Sequence, residues 1–213
     1  YLREEVSEVT PDHPVLVDRY IEDAFEFDVD AVSDGAATII CGMMQHIEEA
    51  GVHSGDSACV LPPSVLPAEQ RDRMTAITRT LAAELQVVGL MNIQFALRDE
   101  ALYVLEVNPR ASRTIPFVSK ATGINWVRVA TRAMVGRSLE EQGIVENLTP
   151  PHFAVKEVVF PFSRFEGVRT YLGPEMRSTG EVMGVAPTFD EAYSKALYAA
   201  GTYLPAPGDG VVF

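Results

Sequence analysis

Between Phe25 and Ala31 the chain alternates strictly. Phe25, Phe27, Val29 and Ala31 are apolar, and Glu26, Asp28 and Asp30 between them are acidic. A period of two is the mark of a β-strand, because successive side chains leave opposite faces of a sheet. Asp34-Gly35 follows, a dipeptide suited to a tight turn, and TIICGMM returns as an apolar partner. The pattern predicts a hairpin over 25–44 with one apolar face and one strongly acidic face.

A second hairpin is predicted from MNIQFAL (91–97) and LYVLEVN (102–108) around RDEA. Further strands are predicted at VLVDRYI (15–21) and HFAVKEVVFPF (152–162), with TPDHP (10–14) as a turn. Residues 46–67 read as a loop, with Gly51, Gly55 and three prolines. Pro67 suits a helix start, where its missing N–H costs nothing. That helix runs to about Val87, with Met74, Ile77, Leu81 and Leu85 on one stripe. A short helix near FVSKATG, a longer one at NWVRVATRAMVG (125–136) and one at 188–201 complete the pattern. Thr188 is the expected N-cap of the last, and Gly201 its end. Residues 1–9 resemble the tail of a helix, and the terminal LPAPGDGVVF a linker entering another strand. Hairpins mixed with helices indicate an α+β fold.

The chain has 213 residues, 47% of them hydrophobic, which is enough to bury a sizeable core. Its net charge of −13 argues against nucleic acid or an anionic membrane as partner, since both repel an acidic surface. No apolar run reaches the ~18 residues needed to span a bilayer. Cys41 and Cys59 lack any CxxC spacing, which fits buried thiols in a reducing cytoplasm. His13, His46 and His152 show no ligand spacing, so no zinc site is read.

The apolar run Tyr103–Leu105 reads as a buried strand, yet it closes with Glu106, Asn108, Arg110 and Arg113. Glu106 and Asn108 share a face by alternation. If the loop takes residues 99–101, Gln94 lies opposite Glu106, with Ile93, Phe95, Leu105 and Val107 packed behind them. Carboxylate and amide oxygens without thiol or imidazole suit a hard cation such as Mg²⁺ beside phosphates. Arg110 and Arg113 then serve an anion next to the metal. The alternative is a local ion pair of Glu106 with Arg110 or Arg113. Lys120 is either a substrate-side cation or a solvated helix residue.

The strings QHIEEAGVHSGDSACVLP, LMNIQFAL, EVNPRASRTIPFVSKATG and GPEMRSTGEVMG resemble the carbamoyl phosphate synthetase large-subunit family, within the ATP-grasp superfamily. GVHSGDS and EVNPRASRT resemble that family's second half. The resemblance implies an ATP-grasp C-terminal lobe with a mixed or antiparallel sheet. Residues 1–22 would be the end of the lid subdomain and a hinge strand, 23–201 the catalytic lobe, and 202–213 a linker to an allosteric domain. It implies an ATP-dependent ligase that phosphorylates carbamate to carbamoyl phosphate for pyrimidine and arginine biosynthesis, in the cytoplasm. Alternatives are a catalytically silent module of the same subunit and a different ATP-grasp ligase. The implied partners are the rest of the large subunit and a glutamine amidotransferase small subunit.

By the same resemblance Gln94, Glu106 and Asn108 are the metal ligands, for Mg²⁺ or Mn²⁺, with Gln94 and Glu106 also at the ATP site; K⁺ is an additional candidate. Arg19 and Ile21 flank the adenine, and Glu26 accepts hydrogen bonds from the ribose hydroxyls. Gly51, Val52, His53 and Ser54 form the loop under the nucleotide. Arg110 and Arg113 face the transferred phosphoryl group.

Overall fold

The computed structural model describes residues 20–162, 170–173 and 175–203. The helix tail expected at 1–9 and the linker after 203 lie outside these residues. So does most of the strand expected at 15–21; its last two residues, Tyr20 and Ile21, are not in a strand.

Both predicted hairpins form. The first joins β1 (Phe25–Asp34) to β2 (Thr38–His46), and Asp34 Oδ1 accepts the N–H groups of Ala36 and Ala37 to close the turn. The second joins β4 (Val88–Arg98) to β5 (Ala101–Asn108). Residues 46–67 are not all loop, because Cys59–Leu61 forms strand β3. β6 (Phe153–Val159) matches the expected strand, and β7 (Gly180–Ala186) is one the sequence did not reveal. Among the described residues these strands make one antiparallel sheet in the order β5-β4-β1-β2-β3-β6-β7.

The helices lie on both faces. α1 (Ala68–Glu84) covers the face bearing Phe27, Val29, Ile93 and Phe95 with Met74 and Ala82. Ile77 and Leu81 are partly buried there, whereas Leu85 caps the helix and is 51% exposed. α2 (Ile115–Thr122) and α3 (Trp126–Met134) cover part of the other face, with Val118 and Trp126 against Val32, Cys41 and Leu90. α4 (Phe189–Ala199) lays Ala192 and Ala196 on Val60, Val155 and Ala186. Thr188 caps it as expected, accepting the Glu191 N–H.

One expectation fails on burial. β5 is the sheet edge, so Tyr103, Val104 and Leu105 are 43%, 43% and 46% exposed rather than core. On the acidic face of β1, Asp28 and Asp30 are buried.

Two close approaches require glycine. A Cβ on Gly42 would sit 2.8 Å from Val118 Cγ1, where α2 meets β2. A Cβ on Gly184 would collide with the Ala192 carbonyl oxygen and lie 2.6 Å from the Ala196 nitrogen. That obstacle is helix backbone, which no rotamer change relieves. Gly184→Ala should destabilise the 213-residue chain by about 2–3 kcal/mol. Gly180→Ala, whose Cβ meets only Val159 Cβ at 3.9 Å, is the control. Urea denaturation of both checks this, with the control expected within about 0.5 kcal/mol of wild type.

Candidate active site

The site is built on three adjacent strands. Cross-strand pairing sets Asp28 beside Gln94 and Gln94 beside Glu106. One step along, Asp30 pairs with Asn92 and Asn92 with Asn108. Directly opposed residues on one sheet face have Cβ atoms about 5 Å apart, so each row is a polar rung crossing the sheet. The polar character stops at Val32 and Leu90, where α2 and α3 cover the same face.

The expected Gln94–Glu106 pairing is present, but by a different route. The hairpin loop holds only residues 99–100, with Asp99 at φ +55°. That loop alone would set Gln94 against Leu105 and send Glu106 to the apolar face. The pairing shifts between Gln94 and Phe95, so Leu105 is an extra, bulged residue and Glu106 returns to the rung. Ile93, Phe95 and Val107 do pack behind the rungs; Leu105 does not.

A cavity of about 720 Å³ opens over these rungs. It gathers His53, Ser54, Gln94, Glu106, Arg110 and Arg113 from the residues singled out by sequence. Its described lining does not include Ile21, Glu26, Gly51, Val52 or Asn108. Arg19 lies outside the described residues. Glu106 is exposed and forms no ion pair with Arg110 or Arg113, so the local-pair alternative is not what the structure adopts. Arg110 instead turns its guanidinium to the Ala111 carbonyl. Lys120 is exposed.

Gln94 donates its Nε2 hydrogen to Ser54 Oγ at 3.0 Å, which leaves its carbonyl oxygen for a ligand. With Glu106 opposite, the donor set is one free carboxylate and one amide oxygen, open to the cavity. Among the described residues no three His, Cys, Asp or Glu side chains form a closed metal cage. Hard oxygen donors in an open, single-carboxylate site fit Mg²⁺, which keeps substrate phosphates and waters among its ligands.

Two loops wall the cavity and are tied together. In the first, His53 Nδ1 accepts the Gly55 N–H at 3.0 Å, which places the neutral ring's hydrogen on Nε2. Glu26 accepts the Gly51 N–H at 3.3 Å, so it supports this loop from below. The second loop is held by Asp56, fully buried, which accepts the N–H groups of Arg177 and Ser178 at 2.7 and 2.8 Å. The His53 N–H donates to the Gly173 carbonyl across the same junction.

Sequence reasoning missed Lys156. It is 2% exposed and lines the cavity, its ammonium donating to the Ser54 carbonyl at 3.4 Å and forming no ion pair with a described carboxylate. It lies in the stretch AVKEVV, where nothing local marks it out, and it pairs with Cys59 of β3 in the sheet interior. Asp56 and His46 were missed as well. His46 Nε2 lies 2.9 Å from Asp28 Oδ2, and Nδ1 lies 3.3 Å from Glu26 Oε2. Burial pulls its pKa down, but the two carboxylates overcome that and raise it to about 9. Burial pushes Asp30 up to about 6, against hydrogen bonds from Thr114 and Asn92 that pull it down.

The architecture is that of the ATP-grasp proteins. The chain superposes on the biotin carboxylase domain of a single-chain bacterial carboxylase with a TM-score of 0.65, over 85% of this chain and 47% of that one. At 20% identity this likeness speaks for the fold alone. Residues 3–142 match the family described as carbamoyl-phosphate synthase L chain, ATP binding domain. The carbamoyl phosphate synthase large chain of Vibrio cholerae is 56% identical over 208 residues, covering 98% of this chain and 19% of its own length. That of Ralstonia nicotianae is 56% identical over 212 residues, covering 98% and 20%. The chain therefore belongs to the carbamoyl phosphate synthase large-chain family, and spans about one fifth of the length of these relatives. Among the described residues no helix is long and apolar enough to cross a membrane.

His46 keeps its proton to about pH 9 in the folded chain, against 6.5 for an ordinary histidine. Its contribution to stability is complete below pH 6.5 and is lost as pH rises through 9. The urea midpoint of the wild type should fall across this window, and that of His46→Gln should fall less. Parallel slopes for the two proteins would contradict the charged pairing.

Proposed function

We propose that this chain is the ATP-binding core of the half of the carbamoyl phosphate synthase large chain that phosphorylates carbamate. The observation that carries this reading is the Gln94–Glu106 rung, which shares one cavity with Arg110 and Arg113. Glu106 and Gln94 would hold Mg²⁺ or Mn²⁺, with Asn108 of the neighbouring rung as third ligand. A metal bound there supplies charge neutralisation at phosphate oxygens.

The chain's own residues do the rest. Phosphoryl transfer depends on positioning and on offsetting charge, so no side-chain nucleophile is required when carbamate oxygen attacks. Arg110, Arg113 and Lys156 bring three cations to the phosphoryl end, within a chain of net charge −13. His53 and Ser54 present the loop that lies along the phosphates. Ile21, Glu26, Gly51 and Val52, with Arg19, serve the adenosine side. In its whole protein the chain works with the rest of the large chain and an amidotransferase subunit, in the cytoplasm, for pyrimidine and arginine synthesis.

The test uses the full-length protein. Glu106→Gln is isosteric but uncharged, and should lower carbamate-dependent ADP release by at least about 100-fold. Calorimetry of the 213-residue chain with ATP should show binding that needs Mg²⁺ and is weakened by the same substitution. Wild-type turnover by Glu106→Gln would remove the metal role. A chain that binds no Mg–ATP while the full-length protein does would be a silent piece of that protein.

A further inference from the structure

We infer that Asp30, a buried acid with no assigned role, is a positioning residue that aims the arginine-bearing turn 110–114 and the amide of Asn92 at the cavity. This rests on the phosphoryl-transfer reading above.

Asp30 is 1% exposed on β1. A buried carboxylate is a poor source of stability, since an apolar residue of similar size usually does as well. Its hydrogen bonds are long-range and directional. The Thr114 hydroxyl, 84 residues away, donates to Oδ2 at 2.6 Å, and Asn92 Nδ2 donates to Oδ1 at 3.0 Å.

Thr114 sets aside its local role to make this bond. It is the N-cap residue of α2, yet its side chain accepts no N–H from the first turn. A threonine there ordinarily caps, for about 1 kcal/mol. Instead its hydrogen is committed to Asp30, so the Ser112 hydroxyl, 2.8 Å away, must be the donor to Thr114. The chain Ser112 to Thr114 to Asp30 thus brackets Arg113 and fixes the turn that begins at Arg110, whose own N–H is bonded to the Asn108 carbonyl.

Asn92 is fixed in the same way. Its Nδ2 also lies 3.4 Å from Asp28 Oδ1. A flipped amide would set its carbonyl oxygen against two carboxylates, so only one orientation is tolerable. Asp30 therefore shares with Asp28 the orientation of an amide on the second rung, and through Thr114 it anchors the turn that carries the arginines.

Three variants of the full-length protein test this. Thr114→Val keeps the shape and removes the hydroxyl, Thr114→Ser keeps the hydroxyl, and Asp30→Asn replaces one of the two acceptor oxygens by an NH₂ that must face either Asn92 or Thr114. Without nucleotide, Thr114→Val and Asp30→Asn should speed amide hydrogen exchange across residues 110–115. They should lower kcat for ADP release about 10- to 100-fold, while KM for ATP moves by less than about 3-fold. Thr114→Ser should restore both readouts. Wild-type exchange in Thr114→Val overturns the anchor even if Asp30→Asn does not fold. Faster exchange with an unchanged kcat overturns the positioning role. Glu106→Gln assayed alongside separates the two readings: full activity there sinks the phosphoryl-transfer reading, and exchange then decides the anchor by itself.

Discussion

Register across three antiparallel strands is the constraint on which the site depends. A slip of one residue turns every side chain of a strand to the opposite face. Here Asp28–Gln94–Glu106 and Asp30–Asn92–Asn108 stand in line only because β1, β4 and β5 hold one alignment over both rungs. The bulge at Leu105 keeps that alignment despite a two-residue hairpin loop. The exposed, apolar edge of β5 is the other side of the same geometry. An outermost strand can present polar groups to a cavity without burying its outer side chains.

The sheet face is divided by function. Toward Val32 and Leu90 it is dry and covered by helices; toward Asp28 and Asp30 it carries acids and amides. Isolated acids so deeply buried would be costly. Each has partners: His46 on Asp28, Thr114 and Asn92 on Asp30, and the amides of Arg177 and Ser178 on Asp56. These pairs tie the cavity walls to the sheet. Above this polar layer Glu106, Arg110, Arg113 and Lys156 line the cavity without pairing to one another.

Much of the fold was legible because local rules and tertiary packing agree. Asp34-Gly35, the stripe led by Met74 and the Thr188 cap each predicted an element that forms. β7 was missed because GEVMGVA opens on glycine and a polar residue, and its glycine at 184 exists for the close approach of α4. The site was half legible. Glu106, Arg110 and Arg113 announce themselves as polar residues at and beyond the end of an apolar strand, and Gln94 by its expected place opposite Glu106. Lys156 and Asp56 do not, since a lysine in a strand and an aspartate in a glycine-rich loop are usually solvated.

The alternation at 25–31, the two hairpins and the oxygen donors of β4 and β5 followed from the order of residues alone. Side-chain period and turn chemistry act over a few positions and need no knowledge of the rest of the chain. Tertiary structure alone decided that the acids of β1 are buried, that Leu105 bulges, and that Thr114 serves Asp30 rather than its own helix. Those outcomes depend on which strands become neighbours and which helix covers which half of a face. Such contacts join residues as distant as Asp56 and Ser178, 122 positions apart, and no local rule reaches that far.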